Sequence, residues 1–234
     1  MTTTAQYLQR RNELETYFDR TAIAAWSRLT SDAPLGRIRA TVRAGRDEMR
    51  QTLLSWLPQD LRGARLLDAG CGTGALSIDV ARRGADVVAV DISPALVQIA
   101  SGRVPADVSP RAIRFTAGDM LDPTLGKFDF VVAMDSVIHY RPGDVVRIYG
   151  GLASRTVHSL LVTFAPRTPA LTLMHTIGRA FPRQNRAPAI EPVTEENLKR
   201  LIWDHPVLED WSFGRSRRVT SGFYKSHALE LLRK

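Results

Sequence analysis

Apolar residues recur at helical spacing over the first part of the chain. One series spans about residues 7–29 and consists of Tyr7, Leu8, Leu14, Tyr17, Phe18, Ile23, Trp26 and Leu29. A second series spans about residues 35–57 and ends at Pro58, a residue type that interrupts helices. Because positions three and four apart share one face of a helix, the two series predict two amphipathic N-terminal helices.

From residue 65 the apolar residues form short, nearly continuous runs instead. These runs predict strands at 65–69, 87–90, 113–117, 128–134 and 160–164. Helices are predicted between them at about 75–83, from Pro94 onward behind the N-cap Ser93, and at 145–157. Such alternation predicts a parallel sheet covered by helices on both faces.

The pattern changes again after Pro166. Residues 166–192 hold five prolines and four arginines, and a helix is predicted at about 194–203. Two last strands, about 207–217 and 222–231, predict an antiparallel hairpin at the sheet edge. The predicted fold class is therefore α/β, Rossmann-like, with seven mostly parallel strands and an antiparallel C-terminal hairpin. Since such sheets bind ligands at the carboxyl ends of their strands, the N-terminal helices and the 166–192 insertion are expected to form a substrate lid there.

The strongest local motif is a glycine-rich turn after the first predicted strand, Asp68-x-Gly70-x-Gly72-x-Gly74. Glycine is needed where the backbone approaches a ligand closely or takes a positive φ. Asp91 ends the second predicted strand, where an acid can accept both hydroxyls of a ribose. The motif therefore predicts a nucleoside-type cofactor. A dinucleotide site prefers Gly-x-Gly-x-x-Gly, and Asp68 would repel a pyrophosphate but suit an amine or a sulfonium.

This loop resembles the S-adenosylmethionine loop of class I methyltransferases. The resemblance implies further cofactor contacts after the second strand, after the third strand beside the adenine, and after the fourth strand. The expected cofactor-binding residues are Asp68, Gly70, Cys71, Gly72, Gly74, Asp91, Ile92, Asp119, Met120 and Asp135. Cys71 is expected to pack within the loop rather than act as a nucleophile, because no residue near it in the sequence supplies a base.

Four segments outside the loop resemble one family closely, and the last two of them are far more specific than the loop. They are Tyr17-Phe18-Asp19-Arg20…Trp26, Val42-Arg43-Ala44-Gly45-Arg46, Met134-Asp135-Ser136-Val137-Ile138-His139-Tyr140 and Phe164-Ala165-Pro166…His175…Phe181-Pro182-Arg183-Gln184-Asn185-Arg186-Ala187-Pro188. With the loop, they resemble the magnesium-protoporphyrin IX O-methyltransferases of (bacterio)chlorophyll biosynthesis over nearly the whole chain. On this basis residues 1–58 are expected to form a helical substrate arm and 59–234 a class I methyltransferase domain.

The resemblance implies a reaction and a reacting centre. A methyl group would pass from S-adenosylmethionine to a propionate carboxylate of magnesium-protoporphyrin IX, giving the monomethyl ester and S-adenosylhomocysteine. Tyr17 and His139 would orient the carboxylate by hydrogen bonds. A flat apolar disc with two propionates needs apolar walls and a few cations, and the expected substrate contacts are Phe18, Trp26, His175, Arg183 and Arg186. Core packing explains Phe18 and Trp26 equally well, and a purely structural role stays the alternative for His139.

The expected chemistry needs no general base. A carboxylate with an ordinary pKa near ~4 is already ionised at neutral pH, so catalysis consists of in-line positioning with water excluded. A bidentate arginine on the reacting carboxylate would withdraw electron density from it, so Arg183 and Arg186 are expected to hold the other propionate. Magnesium enters only as part of the substrate. His139 as an axial ligand to that magnesium stays a minor alternative, because oxygen ligands suit this ion better than an imidazole. No resident metal site is predicted.

The amino-acid composition excludes several classes of protein. The chain of 234 residues is 44% hydrophobic and 24% charged, which is typical of globular proteins and excludes a disordered or fibrous one. Cys71 is the single cysteine, which forbids an intrachain disulfide and favours the reducing cytoplasm. Because no apolar run reaches about 18 residues and the N-terminus is polar, neither membrane spanning nor secretion is expected.

The net charge of +8 lies in the flanks, because residues 63–162 carry ten basic and ten acidic groups. Basic flanks suit an anionic substrate, nucleic acid or an acidic membrane surface. The family resemblance implies contact with the large porphyrin-binding subunit of magnesium chelatase and peripheral association with the photosynthetic membrane.

Two other functions compete with the porphyrin reaction. One is an S-adenosylmethionine-dependent methyltransferase acting on RNA or on another small anionic or amine substrate. RNA binding favours a contiguous basic stripe with stacking aromatics, and amine or base chemistry favours an Asn/Asp-Pro-Pro-Tyr-like motif after strand four. The segment 134–140 lacks that motif, so no nucleic-acid partner is expected. The other is a partner protein that holds porphyrin without activity, against which the intact cofactor loop argues.

Overall fold

The computed structural model describes residues 5–21, 29–30, 36–167 and 189–234. Within these ranges, seven strands form one sheet in the order β3-β2-β1-β4-β5-β7-β6. The strands are β1 Arg65–Ala69, β2 Asp86–Asp91, β3 Ile113–Ala117, β4 Phe128–Ala133, β5 Thr156–Phe164, β6 Trp211–Ser221 and β7 Tyr224–Arg233. Neighbours among β1–β5 pair in parallel, whereas β7 pairs antiparallel with β5 and β6. The predicted fold class and its C-terminal hairpin are confirmed.

Helices connect and cover these strands. They are α1 Ala5–Thr16, α2 Arg37–Trp56, α3 Ala75–Arg82, α4 Pro94–Gly102, α5 Pro142–Ala153 and α6 Glu195–Trp203. A π-helical turn, Tyr17–Thr21, continues α1. Ser93 caps α4 as predicted, since its side chain accepts a hydrogen bond from the backbone N–H of Leu96.

The sheet separates two hydrophobic cores. Leu66 of β1 is buried with Met49 of α2 and Val80 of α3, whereas the next residue, Leu67, is buried with Ile148 of α5. Side chains of adjacent strand residues point to opposite faces. Both faces of the central strands therefore need apolar residues, which explains their continuous hydrophobic runs.

The structure corrects several predicted boundaries. The helix predicted at 145–157 is wrong at its C-terminal end, because α5 ends at Ala153 and β5 already begins at Thr156. Thr156 pairs with Phe128 of β4, so sheet pairing outweighs the helical periodicity there. The hairpin strands begin later than predicted, since 206–208 forms a 3-10 turn before β6.

The two N-terminal helices occupy different places. α1 lies over the carboxyl ends of the strands, where Tyr7 bonds Asp119 beyond β3 and Arg10 bonds the backbone of His139 beyond β4. The C-terminal half of α2 instead covers one face of the sheet, and Leu53 is fully buried there. The predicted division of the chain at residue 58 stays a prediction. Residues 22–28 of the first predicted helix, and 168–188 of the predicted insertion, lie outside the described residues.

None of the helices that the structure describes has the length and apolar character needed to cross a lipid bilayer. In the same part of the chain, no three His, Cys, Asp or Glu side chains gather as ligands for a metal ion.

Candidate active site

A cleft in two parts lies at the carboxyl ends of β1, β2 and β4. The α1 compartment encloses about 750 Å³ and is lined by residues that include Tyr7, Phe18, Asp91, Asp119, His139 and Tyr140. The α2 compartment encloses about 1010 Å³ and is lined by residues that include Arg43, Arg46, Arg50, Asp68, Cys71 and Thr73. Gly70, Gly72 and Arg46 line both parts, so the two compartments meet at the glycine loop.

The glycines of the loop are required for different structural reasons. Gly70 and Gly72 have φ of 89° and 54°, which is unfavourable for residues with a side chain. A Cβ on Gly70 would lie 2.2 Å from the Cβ of Ser136, whereas a Cβ on Gly72 would meet no atom within 4 Å. Gly70 therefore allows the ends of β1 and β4 to touch, and Gly72 leaves bare backbone facing the cleft.

Asp68 is a buried carboxyl group on the wall of the α2 compartment. Its side chain accepts a hydrogen bond of 2.6 Å from the hydroxyl of Ser77 in α3. Burial raises the pKa of Asp68 to about 7, against a lowering effect of the Ser77 hydrogen bond. A cation placed beside Asp68 would therefore stabilise its ionised form.

Asp91 connects the end of β2 to the glycine loop. Its Oδ2 accepts a hydrogen bond of 2.8 Å from the backbone N–H of Gly72, and its Oδ1 accepts one of 2.9 Å from that of Ser93. Burial raises its pKa above the ordinary range. The backbone N–H of Ile92 also hydrogen-bonds this carboxylate. Three backbone donors leave one of its about four acceptor positions available for a ligand hydroxyl.

Asp119, beyond β3, is held from above by α1. Its Oδ1 accepts hydrogen bonds from the Tyr7 hydroxyl at 2.9 Å and from the backbone N–H of Leu121 at 2.8 Å. Its Oδ2 pairs with Arg11 at 3.0 Å. Burial and the neighbouring Asp119 raise the pKa of Tyr7, so the phenol stays a donor. α1 therefore closes over this side of the cleft through two polar contacts on one carboxylate.

Asp135, beyond β4, is saturated with protein donors. Its Oδ1 accepts from Ser226 at 2.9 Å and Thr163 at 3.1 Å, and its Oδ2 accepts from Arg46 and Tyr224, both at 2.9 Å. Four donors account for the acceptor positions of a carboxylate. The geometry therefore favours a role in which Asp135 fixes Arg46 at the junction of the two compartments.

His139 and aromatic rings line the α1 compartment together with the glycine loop. The Phe18 ring lies 5.8 Å from the His139 ring, and Tyr7 stacks on Tyr140 at 5.5 Å. Tyr17 packs edge-on against Phe18 at 5.2 Å, and burial raises its pKa. Phe18 and His139 line the α1 compartment directly, whereas Tyr17, predicted to act beside His139, is not among the residues that line it.

Comparison with known proteins decides the family. The model described as "Magnesium-protoporphyrin IX methyltransferase C-terminus" matches residues 133–233, and a general methyltransferase-domain model matches residues 66–156. A magnesium-protoporphyrin O-methyltransferase from Rhodobacter capsulatus is 48% identical over 97% of this chain and 98% of its own length. The chain belongs to the magnesium-protoporphyrin O-methyltransferase family.

Other members of the family agree. A magnesium-protoporphyrin O-methyltransferase from Synechocystis sp. is 30% identical over 93% of this chain and 94% of its own length. The crystal structure of magnesium protoporphyrin IX methyltransferase from Synechocystis PCC 6803 with bound SAH superposes with a TM-score of 0.83 at 28% identity. The superposition covers 96% of this chain and 100% of that one.

In this family member, the structure brings most of the predicted site residues to one cleft. Those lining it are Asp68, Gly70, Cys71, Gly72, Asp91, Ile92, Asp119, Met120, Asp135, Phe18 and His139. Gly74 stands behind them as the N-cap of α3, with φ of 83°. The predicted substrate contacts Trp26, His175, Arg183 and Arg186 lie outside the described residues.

Several cleft residues of this methyltransferase were missed as individual site residues, among them Tyr7, Arg11, Arg46 and Ser136. Tyr7 and Arg11 are one helical turn apart on the α1 face that meets Asp119. Their spacing is visible in the sequence, but the sequence does not show that Asp119 lies against this face. Arg46 and Ser136 stand inside segments that carried the family resemblance, and Ser136 directly follows Asp135. The Nε of Arg11 and the Oγ of Ser136 are buried without a hydrogen-bond partner among the described residues.

Proposed function

We propose that the chain transfers a methyl group from S-adenosylmethionine to a propionate carboxylate of magnesium-protoporphyrin IX, forming the monomethyl ester in (bacterio)chlorophyll biosynthesis. The observation that carries the proposal is the junction of two different sites in one cleft. The cleft has the acids and bare glycine backbone suited to the donor, and it also has His139 and aromatic rings suited to a flat apolar acceptor. The 48% identity to the Rhodobacter capsulatus protein extends over both sets of residues.

We place the donor in the cleft on the basis of the residues that line its two compartments. Asp91 would accept the ribose hydroxyls, and Asp119, with Ile92 and Met120, would surround the adenine. The amino-acid part would then extend past Gly70 toward Asp68 and Arg46 in the α2 compartment. The buried, unpartnered Nε of Arg11 and Oγ of Ser136 are consistent with a ligand that completes their hydrogen bonds. When bound, the donor supplies a methyl group on a positively charged sulfur.

The protein's own contribution is orientation and exclusion of water. A propionate is ionised at neutral pH, so His139 and Tyr17 would direct an oxygen toward the methyl group without removing a proton. Phe18 and the stacked pair of Tyr7 and Tyr140 present apolar surface to the macrocycle and exclude water. Trp26, His175, Arg183 and Arg186 keep their proposed place as further substrate contacts.

The reaction can be tested directly. The purified chain is incubated with methyl-labelled S-adenosylmethionine and magnesium-protoporphyrin IX, and the porphyrin is separated by chromatography. The expected product is a labelled porphyrin monomethyl ester together with S-adenosylhomocysteine. Label found only in RNA or in a small amine, when these are offered in parallel, would contradict the proposal. Porphyrin binding without any transfer of label would instead indicate a holding protein.

Partners and location belong to the same proposal. Contact with the large porphyrin-binding subunit of magnesium chelatase, and peripheral attachment of a cytoplasmic protein to the photosynthetic membrane, are supported by the basic flanks of the chain. Co-sedimentation with that subunit and with vesicles containing anionic lipid would test both. No binding at low ionic strength would count against them, since salt screens such contacts least under that condition.

Asp68 is expected to release a proton when the donor binds. Its pKa is about 7 in the free protein, and the ammonium or sulfonium of the donor would lower it. Affinity should therefore rise as the pH increases toward 7 and level off above it. Calorimetry in two buffers of different ionisation enthalpy measures the proton release, and Asp68→Asn should abolish it. S-adenosylhomocysteine lacks the sulfonium, so comparing its proton release with that of S-adenosylmethionine shows whether the ammonium or the sulfonium lowers the pKa of Asp68. An unchanged number of released protons in Asp68→Asn would show that another group releases them.

Asp91→Ala is expected to weaken the binding of the donor. Loss of charge-assisted hydrogen bonds to the ribose should cost about 2 kcal/mol, or roughly thirtyfold in affinity. Calorimetric titration with S-adenosylhomocysteine measures the change. Asp86→Ala, an exposed acid at the start of the same strand, is the matched control and should bind normally. Wild-type affinity in Asp91→Ala would remove the ribose role.

A further inference from the structure

Arg10 joins three separate parts of the chain around His139. Its Nε donates a hydrogen bond of 2.9 Å to the backbone carbonyl of His139, and its Nη2 donates one of 3.0 Å to the backbone carbonyl of Ala189. The same Ala189 oxygen lies 3.2 Å from the Nδ1 of His139. One guanidinium therefore holds both the backbone that carries the imidazole and the acceptor that the imidazole meets.

The acceptor determines which ring nitrogen carries the proton. A carbonyl oxygen only accepts hydrogen bonds, so the contact with Ala189 requires hydrogen on Nδ1 of His139. In the neutral ring, Nε2 is then the unprotonated nitrogen. The position of the Ala189 carbonyl thus selects the tautomer, and Arg10 contributes to that position from the other side.

A second contact keeps the two backbone segments together. The backbone N–H of Glu191 donates a hydrogen bond of 2.8 Å to the carbonyl of Ile138, directly before His139. Residues 189–191 therefore run beside the loop after β4, with Arg10 bridging them from α1. Arginine suits this bridge because its planar guanidinium offers donors at fixed angles to two acceptors at once, which the single ammonium of lysine does not.

We propose that Arg10 is a positioning residue for the methyl transfer, which fixes the Nδ1–H tautomer and the orientation of His139 through the carbonyls of His139 and Ala189. The proposal rests on the proposed function, in which His139 lies at the reacting centre. α1 then does two things at the same time: it closes on Asp119 through Tyr7 and Arg11, and it sets the imidazole through Arg10. Closure of α1 over the cleft and correct presentation of the imidazole are one structural event.

The tautomer can be measured without turnover. Long-range ¹H–¹⁵N spectra of the full chain with bound S-adenosylhomocysteine distinguish the two ring nitrogens of each histidine, and the His139 signals are assigned by their loss in His139→Asn. Wild type is expected to show the Nδ1–H pattern at a pH where the ring is neutral. Arg10→Gln is expected to lose that pattern in favour of Nε2–H or of a mixture. An Nε2–H pattern in wild type, or an unchanged Nδ1–H pattern in Arg10→Gln, would overturn the proposal.

Kinetics supply the second measurement. Arg10→Gln is expected to lower kcat about tenfold to a hundredfold with the KM for S-adenosylmethionine unchanged, because misplacement of a reacting group by a fraction of an ångström has effects of that size. Glu13→Gln is the matched control, since Glu13 contacts Gln9 and the Nη1 of Arg10 on the partly exposed side of α1, away from the two carbonyls that Arg10 bridges. It should keep both the tautomer and kcat. If Arg10→Gln does not fold, Arg10→Lys, which retains the charge, is measured in its place. It should fold and should lose part of the Nδ1–H pattern.

The two hypotheses fail in different ways. If wild type forms no porphyrin ester but the Nδ1–H pattern depends on Arg10, the proposed function is wrong and the positioning of His139 stands. If wild type forms the ester while the tautomer, or kcat, is indifferent to Arg10, the positioning role is wrong and the function stands.

Discussion

Gly70→Ala is expected to abolish donor binding and to destabilise the protein. A side chain at φ of 89° costs about 1–2 kcal/mol, and the new Cβ would lie 2.2 Å from the Cβ of Ser136. Relief of that overlap by moving backbone adds about 1–3 kcal/mol. Because the N–H groups of Gly70 and Cys71 both bond to the carbonyl of Val90, the whole turn would move with it. Urea unfolding should show a loss of about 2–5 kcal/mol, and calorimetry should show no binding of S-adenosylhomocysteine.

Two other glycines make this result specific. Gly143→Ala, in the first turn of α5, places a Cβ where no atom lies within 4 Å and should leave binding unchanged. Gly72→Ala also meets no atom within 4 Å but has φ of 54° and faces the cleft. It should lose donor affinity with a smaller loss of stability than Gly70→Ala. A folded Gly70→Ala protein with wild-type affinity would contradict the reading of the loop.

The fold could be predicted from the sequence because its signals are local. The strands 65–69 and 113–117 have the observed bounds, and a glycine directly follows each of them in the sequence. Ser93 followed by Pro94 marks a helix start through contacts three residues apart. The predicted boundary near 154 was wrong because the helical periodicity continues through residue 157. Only the pairing of Thr156 with β4 shows that the strand begins there.

The site could be predicted in part, for the same reason. The glycine loop and the acids at the ends of β2, β3 and β4 could be predicted because they lie where strands end, and the sequence shows where the strands end. The donors that saturate Asp135 come from residues as far away as Ser226, and the acceptor for His139 is Ala189. Contacts of this range have no signature in local periodicity. The predicted role of Asp135 as a cofactor ligand therefore stays a prediction, while the geometry directs attention to Arg46.

His139→Ala is expected to lower the rate of porphyrin ester formation about a hundredfold while the donor still binds. The imidazole lines the α1 compartment beside Phe18, whereas the proposed donor contacts belong to Asp68, Asp91 and Asp119. Loss of a group that orients the acceptor oxygen affects the reaction step, because effects of this size follow from misplaced reactants. Stopped assays at saturating donor measure kcat, and calorimetry with S-adenosylhomocysteine measures binding.

His158→Ala is the matched control, because this histidine is 60% exposed and lies on β5 away from the cleft. It should retain both turnover and binding. Unchanged turnover in His139→Ala would remove the imidazole from the mechanism and return it to a structural role. Loss of turnover and donor binding together would show that His139 supports the cleft as a whole. Only a loss of turnover with binding preserved assigns the imidazole to the acceptor side, because the proposed donor contacts do not include His139.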